Sequence, residues 1–115
     1  MSESRVLDTF TSPGGHTATF ETDELTALCP FDFGGPDFYE LRLVYQPAEL
    51  CVESKSLKQY VQSFRDTEIT AETLARTIHE DVTAAIEPEA CYVRLEQARR
   101  GGITETVEVG HVDRR

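Results

Sequence analysis

Bulky apolar side chains are scarce in this chain: it has no tryptophan, one methionine, and an aromatic fraction of 9%. With 115 residues and a hydrophobic fraction of 39%, it reads as one domain with a thin core, which favours self-association. No apolar run approaches the roughly 20 residues of a membrane span. The opening Met1-Ser2-Glu3-Ser4-Arg5 lacks a signal-peptide pattern, so the expectation is a cytoplasmic protein with no membrane partner. Positive charge is also in short supply, with 11 Lys+Arg against 21 Asp+Glu and a net charge of -10. Generic binding to nucleic-acid phosphates needs the opposite sign, which excludes DNA as a partner. The acidic balance favours solubility and is what a salt-loving cytoplasm selects. Three cysteines (Cys29, Cys51, Cys91) cannot all pair internally and form no C-x-x-C. His16, His79 and His111 are scattered and match no zinc spacing, so no metal is expected. Cys51 and Cys91 fall within strand patterns as small buried hydrophobes. No internal repeat or low-complexity segment is present.

What the chain does contain is periodic. Residues 1–16 are polar, end in Ser12-Pro13-Gly14-Gly15, and read as a flexible lead-in. Thr17 to Glu21 is rich in β-formers. From Phe38, Tyr39, Leu41, Leu43 and Tyr45 alternate with Glu40, Arg42 and Gln46, which predicts a half-buried antiparallel strand closed by Pro47. Ser54 is placed to cap a helix with Leu57, Tyr60, Val61 and Phe64 on its apolar face. Thr70 is an N-cap for a second helix, with Leu74, Ile78, Val82 and Ile86 buried and Pro88 ending it. Cys91, Val93 and Leu95 alternate as a third strand. Arg99-Arg100-Gly101-Gly102 forms a turn, Ile103 to Val109 a fourth strand, and 113–115 a loose tail. The order ββααββ predicts an α+β domain over residues 17–112: a four-stranded antiparallel sheet with two helices on one face. The uncovered face and the sheet edges predict self-association into a barrel.

Two stretches carry chemistry. Cys29-Pro30 and Asp37 stand at the ends of a Pro/Gly-rich loop eight positions apart, a spacing that lets a carboxyl approach a thiol. The same residues also fit a structural Cys-Pro turn with a surface aspartate. Lys55 and Lys58, three apart, share a helix face and form either a solvated patch or a site for a phosphate-bearing ligand. Glu72, at a helix start, also suits a dipole-stabilising role.

The words themselves are specific. Leu28-Cys29-Pro30 and Gly35-Pro36-Asp37-Phe38, then Val52-Glu53-Ser54-Lys55-Ser56-Leu57-Lys58-Gln59-Tyr60 and Ser63-Phe64-Arg65, resemble the single-module 7-cyano-7-deazaguanine reductases. These are the nitrile reductases of queuosine synthesis, within the tunnelling-fold superfamily. Arg100-Gly101-Gly102-Ile103 matches another family segment, and the resemblance spans roughly residues 25–105. It implies that Cys29 is the nucleophile forming a thioimide with the nitrile carbon, and that Asp37 is the proton donor. It also implies that Val52, Glu53, Ser54, Ala71 and Glu72 bind substrate, with Glu72 reading the guanine-like edge. Lys55, Lys58 and Arg100 fall in segments associated with NADPH, which delivers two successive hydrides. The implied assembly is a homo-oligomer, a ring or stacked rings, with sites at subunit boundaries.

Three departures stand out. The Cys-to-Asp loop is one residue longer than the family's usual spacing, with Asp32-Phe33-Gly34 inside it. Ala71 and Thr67 stand where the family commonly has histidine. The alternatives are an archaeosine synthase-like amidinotransferase acting on the nitrile base within tRNA, and a non-catalytic purine- or pterin-binding tunnelling-fold protein. The Lys55/Lys58 signature and the acidic charge favour the reductase over the amidinotransferase. Cys29 and Asp37 favour an enzyme over a binding protein.

Overall fold

The computed structural model describes residues 6–31 and 35–112. The Asp32-Phe33-Gly34 part of the loop and the expected loose tail at 113–115 lie outside the described residues. Four long strands, β2 (Ala18–Leu28), β3 (Pro36–Gln46), β5 (Ala90–Arg100) and β6 (Ile103–His111), form an antiparallel sheet in the order β2-β3-β5-β6. Helices α1 (Ser54–Gln62) and α2 (Ala71–Ile86) fall in sequence between β3 and β5. The α+β class and the four-stranded sheet expected from the sequence are therefore present.

Strand β3 shows why the core sits on one side. Asp37, Tyr39, Leu41, Leu43 and Tyr45 are buried, while Phe38, Glu40 and Arg42 are exposed, the period-two alternation of a sheet with one covered face. Helix α2 supplies the cover with Leu74, Ala75, Ile78, Val82 and Ile86, and α1 adds Leu57, Tyr60 and Val61. The rings of Tyr60 and Phe64 meet edge to face at 5.2 Å. Each such fully buried side chain is worth roughly 1.5–3 kcal/mol, against about 0–1 kcal/mol for an exposed ion pair. The helix-side core therefore carries the stability. Surface pairs such as Arg42–Glu21 at 3.5 Å contribute little.

The helix caps differ in part from expectation. Thr70 caps α2 through its hydroxyl, which accepts from Thr73 N–H at 3.2 Å. For α1 the cap is Glu53 rather than Ser54: its carboxylate accepts from Lys55 and Ser56 N–H at 2.8 and 2.7 Å. A carboxylate serves as well as a hydroxyl here and also complements the helix dipole. Those two bonds hold the Glu53 carboxyl below its ordinary range.

Two short strands lie outside the expected set. Within the segment read as a flexible lead-in, β1 (Thr9–Thr11) pairs antiparallel with β4 (Leu50–Val52), with Phe10 opposite Cys51. Strand β2 runs seven residues past Glu21, to Leu28, through a bulge between Thr22 and Leu25 that admits one extra residue.

Candidate active site

Cys29 follows directly on Leu28, and Leu28 is clasped on both sides. Its N–H donates to the Thr67 carbonyl at 2.8 Å, and its own carbonyl accepts from Ile69 N–H at 3.0 Å. These bonds tie the end of β2 to the link between the helices, so Cys29 stands beside Thr70, Ala71 and Glu72 at the start of α2. The loop returns through Gly35, whose φ of 74° is strained for most other residues, into Pro36 and β3. Asp37 then points to the helix side and is 5% exposed. Its Oδ1 accepts from Gln97 Nε2 at 3.2 Å and from Arg100 Nη1 in a closer contact. Two donors from β5 thus fix the carboxyl group.

Cys29, Asp37, Ala71, Glu72, Arg100 and Glu105 line one cleft of about 620 Å³, within the roughly 300–1,000 Å³ typical of small-molecule sites. Glu72 and Glu105 share a hydrogen bond between their carboxyl groups. That bond lowers Glu72 from the ordinary glutamate value and raises Glu105, so Glu72 is the one of the pair that gives up its proton first. The cleft therefore joins a thiol, a fixed buried carboxyl and a second carboxyl group whose oxygens can accept from N–H donors.

The structure brings five of the ten residues singled out from the sequence together here: Cys29, Asp37, Ala71, Glu72 and Arg100. The other five, Val52, Glu53, Ser54, Lys55 and Lys58, do not line this cleft. Ser54 and Lys58 line a second one against Phe20, Leu41, Leu57 and Val61, and the two clefts share no residue. Val52 is 2% exposed, with its N–H bonded to the Tyr45 hydroxyl at 3.0 Å. Lys55 and Lys58 are exposed at the start of α1. Gln97 and Glu105 are additions from the structure. Their only sequence signal is their place beside the Arg100-Gly101-Gly102-Ile103 segment. Among the described residues no group of three or more His, Cys, Asp and Glu is arranged to hold a metal ion.

A sheet of this order, helices on one face and a Cys–Asp cleft at its end define a tunnelling-fold protein. The family model described as "QueF-like protein" matches residues 36–115, and the chain belongs to that family. The chain is 44% identical to the NADPH-dependent 7-cyano-7-deazaguanine reductase of Syntrophus aciditrophicus, over 91% of this chain and 76% of that one. The proteins of the same name from Anaeromyxobacter dehalogenans (strain 2CP-C) and Halorhodospira halophila are 42% and 41% identical. They match 96% and 94% of this chain and 93% of their own length. The crystal structure of the archaeosine synthase QueF-Like in its apo form superposes with a TM-score of 0.77 at 26% identity, covering 86% of this chain and 94% of that one.

Proposed function

We propose that this chain reduces the nitrile of 7-cyano-7-deazaguanine to an aminomethyl group with NADPH, in the queuosine branch of tRNA modification. The observation that carries this reading is the meeting of Cys29, Asp37 and Glu72 in one cleft. Relatives at 41–44% identity that bear the name of that reaction support it. Glu72 accepts from the N–H edge of the base and orients the nitrile toward Cys29. The Cys29 thiol passes its proton to the Asp37 carboxylate as sulfur bonds to the nitrile carbon; one C–N π bond opens and the nitrogen takes that proton from Asp37, giving a thioimide. NADPH, when bound, would supply the two hydrides that take this carbon to the aminomethyl level, the Cys29 sulfur leaving between them. Arg100 and Gln97 keep the Asp37 carboxyl in place through the sequence.

Lys55 and Lys58 fit the phosphates of the cofactor. Because Glu53 already occupies the N–H groups of Lys55 and Ser56, the lysine side chains rather than the helix amides make those contacts. Arg100, grouped with the cofactor by resemblance, is assigned here to holding Asp37. Val52, Glu53 and Ser54 stand apart from the Cys29 cleft. A ring of subunits that sets the α1 start of one copy against the Cys29 cleft of another would complete the site. Such an assembly would also cover the helix-free sheet face, where Phe38 is 54% exposed. Among the described residues no helix is long and apolar enough to cross a membrane; a cytoplasmic location is part of the proposal.

Amidinotransfer to the same base within tRNA is the second reading, favoured by the likeness to the archaeosine synthase. The higher identity of the reductases and the net charge of -10 weigh against it. The deciding experiment mixes purified protein with 7-cyano-7-deazaguanine and NADPH and follows cofactor oxidation and the mass of the chain. The expected result is oxidation of NADPH, with a covalent adduct in its absence that Cys29→Ala abolishes. An adduct without any oxidation of NADPH, together with modification of tRNA when an amine donor is present, would establish amidinotransfer instead.

A further inference from the structure

One buried polar atom has no part in the chemistry above. Tyr39 is 2% exposed, and its hydroxyl has no hydrogen-bond partner among the described residues. A buried hydroxyl left unpaired is destabilising, and a bound group that accepts from it would relieve that cost.

Register places Tyr39 next to the cleft, although Tyr39 itself is not among the residues that line it. One cross-strand row on the helix side reads Leu25, Tyr39, Gln97 and Glu105, and Asp37 is the next residue on that face of β3. The ionisable groups that act on the phenol are Asp37, Glu105, Cys29 and Glu72, and all four line the cleft. Burial, then those four groups, push the Tyr39 hydroxyl far above an ordinary phenol. It therefore stays protonated and acts as a hydrogen-bond donor rather than an acid.

A guanine-type edge presents two adjacent N–H donors and one carbonyl acceptor. A carboxylate only accepts, so Glu72 can hold the donors and the carbonyl needs a donor of its own. Gln97 and Arg100 point donors at Asp37, and the Thr70 hydroxyl donates to Thr73 Oγ1 at 3.1 Å. We propose that Tyr39 is a substrate-binding residue whose hydroxyl donates a hydrogen bond to the ring carbonyl oxygen of the bound base. This assignment rests on the deazaguanine reading of the cleft.

The test uses Tyr39→Phe in the Cys29→Ala background, where binding stays reversible, and two ligands measured by calorimetry. One is 7-cyano-7-deazaguanine; the other is its analogue with hydrogen in place of the ring carbonyl oxygen. Loss of the hydroxyl is expected to weaken the first ligand about three- to tenfold, the range of one neutral hydrogen bond, and to leave the second unchanged. Thermal stability is expected to hold or rise, because an unpaired hydroxyl is removed. Equal affinity of both proteins for the carbonyl base overturns the proposal, as does the same fold-loss on both ligands. A fall in melting temperature also overturns it, since the hydroxyl would then be paired in the free protein. A chain with Tyr39 intact that binds neither ligand overturns the deazaguanine reading itself, and the assignment with it.

Discussion

Arg100 reaches from the end of β5 to Asp37 at the start of β3, pairing a guanidinium that is 37% exposed with a carboxyl that is 7% exposed. The asymmetry sets what each deletion does. Removing the arginine strands a nearly buried carboxylate, whereas removing the carboxylate leaves a cation that water can reach. Arg100→Ala is expected to lower stability by roughly 1–3 kcal/mol, less than for a fully buried pair because the guanidinium is partly hydrated. Asp37→Asn should cost less, and the double variant less than the sum of the two. Denaturant unfolding of the four proteins measures that coupling, and strict additivity would show that the pair carries no energy.

The three thiols should separate by accessibility. Cys51 is 3% and Cys91 6% exposed, and burial pushes the Cys91 thiol up to about 11. Cys29 is half-buried at the mouth of the cleft. At pH 8, one equivalent of iodoacetamide should label Cys29 in the folded chain, with Cys51 and Cys91 reacting only after unfolding. Peptide mass mapping gives the order, and early label on Cys91 would contradict it.

The Glu72–Glu105 pair predicts a split titration. Glu72 is lowered, so its stabilising contribution is present above its unfolded value and lost as pH falls through the lowered folded one. Glu105 is raised, so its contribution is present below its unfolded value and lost as pH rises through the raised one. The shared hydrogen bond is thus strongest in the window between the two. Carboxyl NMR titration should find Glu72 below and Glu105 above an ordinary glutamate. Glu105→Gln should keep Glu72 low, because an amide N–H replaces the acid proton, whereas Glu105→Leu should return it toward normal. Ordinary titration of both groups in the unaltered protein would rule the pair out.

Much of this architecture is legible in short-range pattern. The alternation of Tyr39, Leu41, Leu43 and Tyr45 and the helical spacing of Leu74, Ile78, Val82 and Ile86 each lie within one element. Such patterns survive folding because each element buries a single face. What the sequence hides is non-local or interrupted. The bulge between Thr22 and Leu25 breaks the phase of β2, which makes its second half look like a connection. Strands β1 and β4 have three residues each and exist through pairing with one another, about 40 positions apart in sequence. At the site, Cys29, Asp37 and Glu72 could be picked out by residue type and family wording. Gln97 and Glu105 sit on strands where a polar residue looks like an outward-facing one. Tyr39 is a core aromatic, and only the three-dimensional register sets it beside Gln97 at the edge of the cleft.

Two glycines should respond very differently to the same substitution. A Cβ on Gly110 would collide with the Cys91 carbonyl and come within 2.5 Å of His79 Nε2, at a φ of 79°. His79 Nε2 itself lies 3.2 Å from that carbonyl, so the space is already in use. Gly101 also has a positive φ, 58°, but nothing within 4 Å of its would-be Cβ. Gly110→Ala is expected to cost about 2–4 kcal/mol or prevent folding, and Gly101→Ala about 1 kcal/mol, the cost of a left-handed conformation alone. Thermal unfolding of the two variants checks the ranking, and a reversal would mean that β6 is not packed against α2 at Gly110.

The clasp that Thr67 and Ile69 place on Leu28 has a consequence for how this site can vary. It anchors one shoulder of the Cys29–Asp37 loop to the interhelical link, while Gln97 and Arg100 anchor the other shoulder at Asp37. With both ends held by contacts outside the loop, the span between them is free to lengthen or shorten without dragging Cys29 or Asp37 along. Loop length becomes a degree of freedom for evolution or design, while the distance across the cleft from sulfur to carboxyl is governed from elsewhere in the fold.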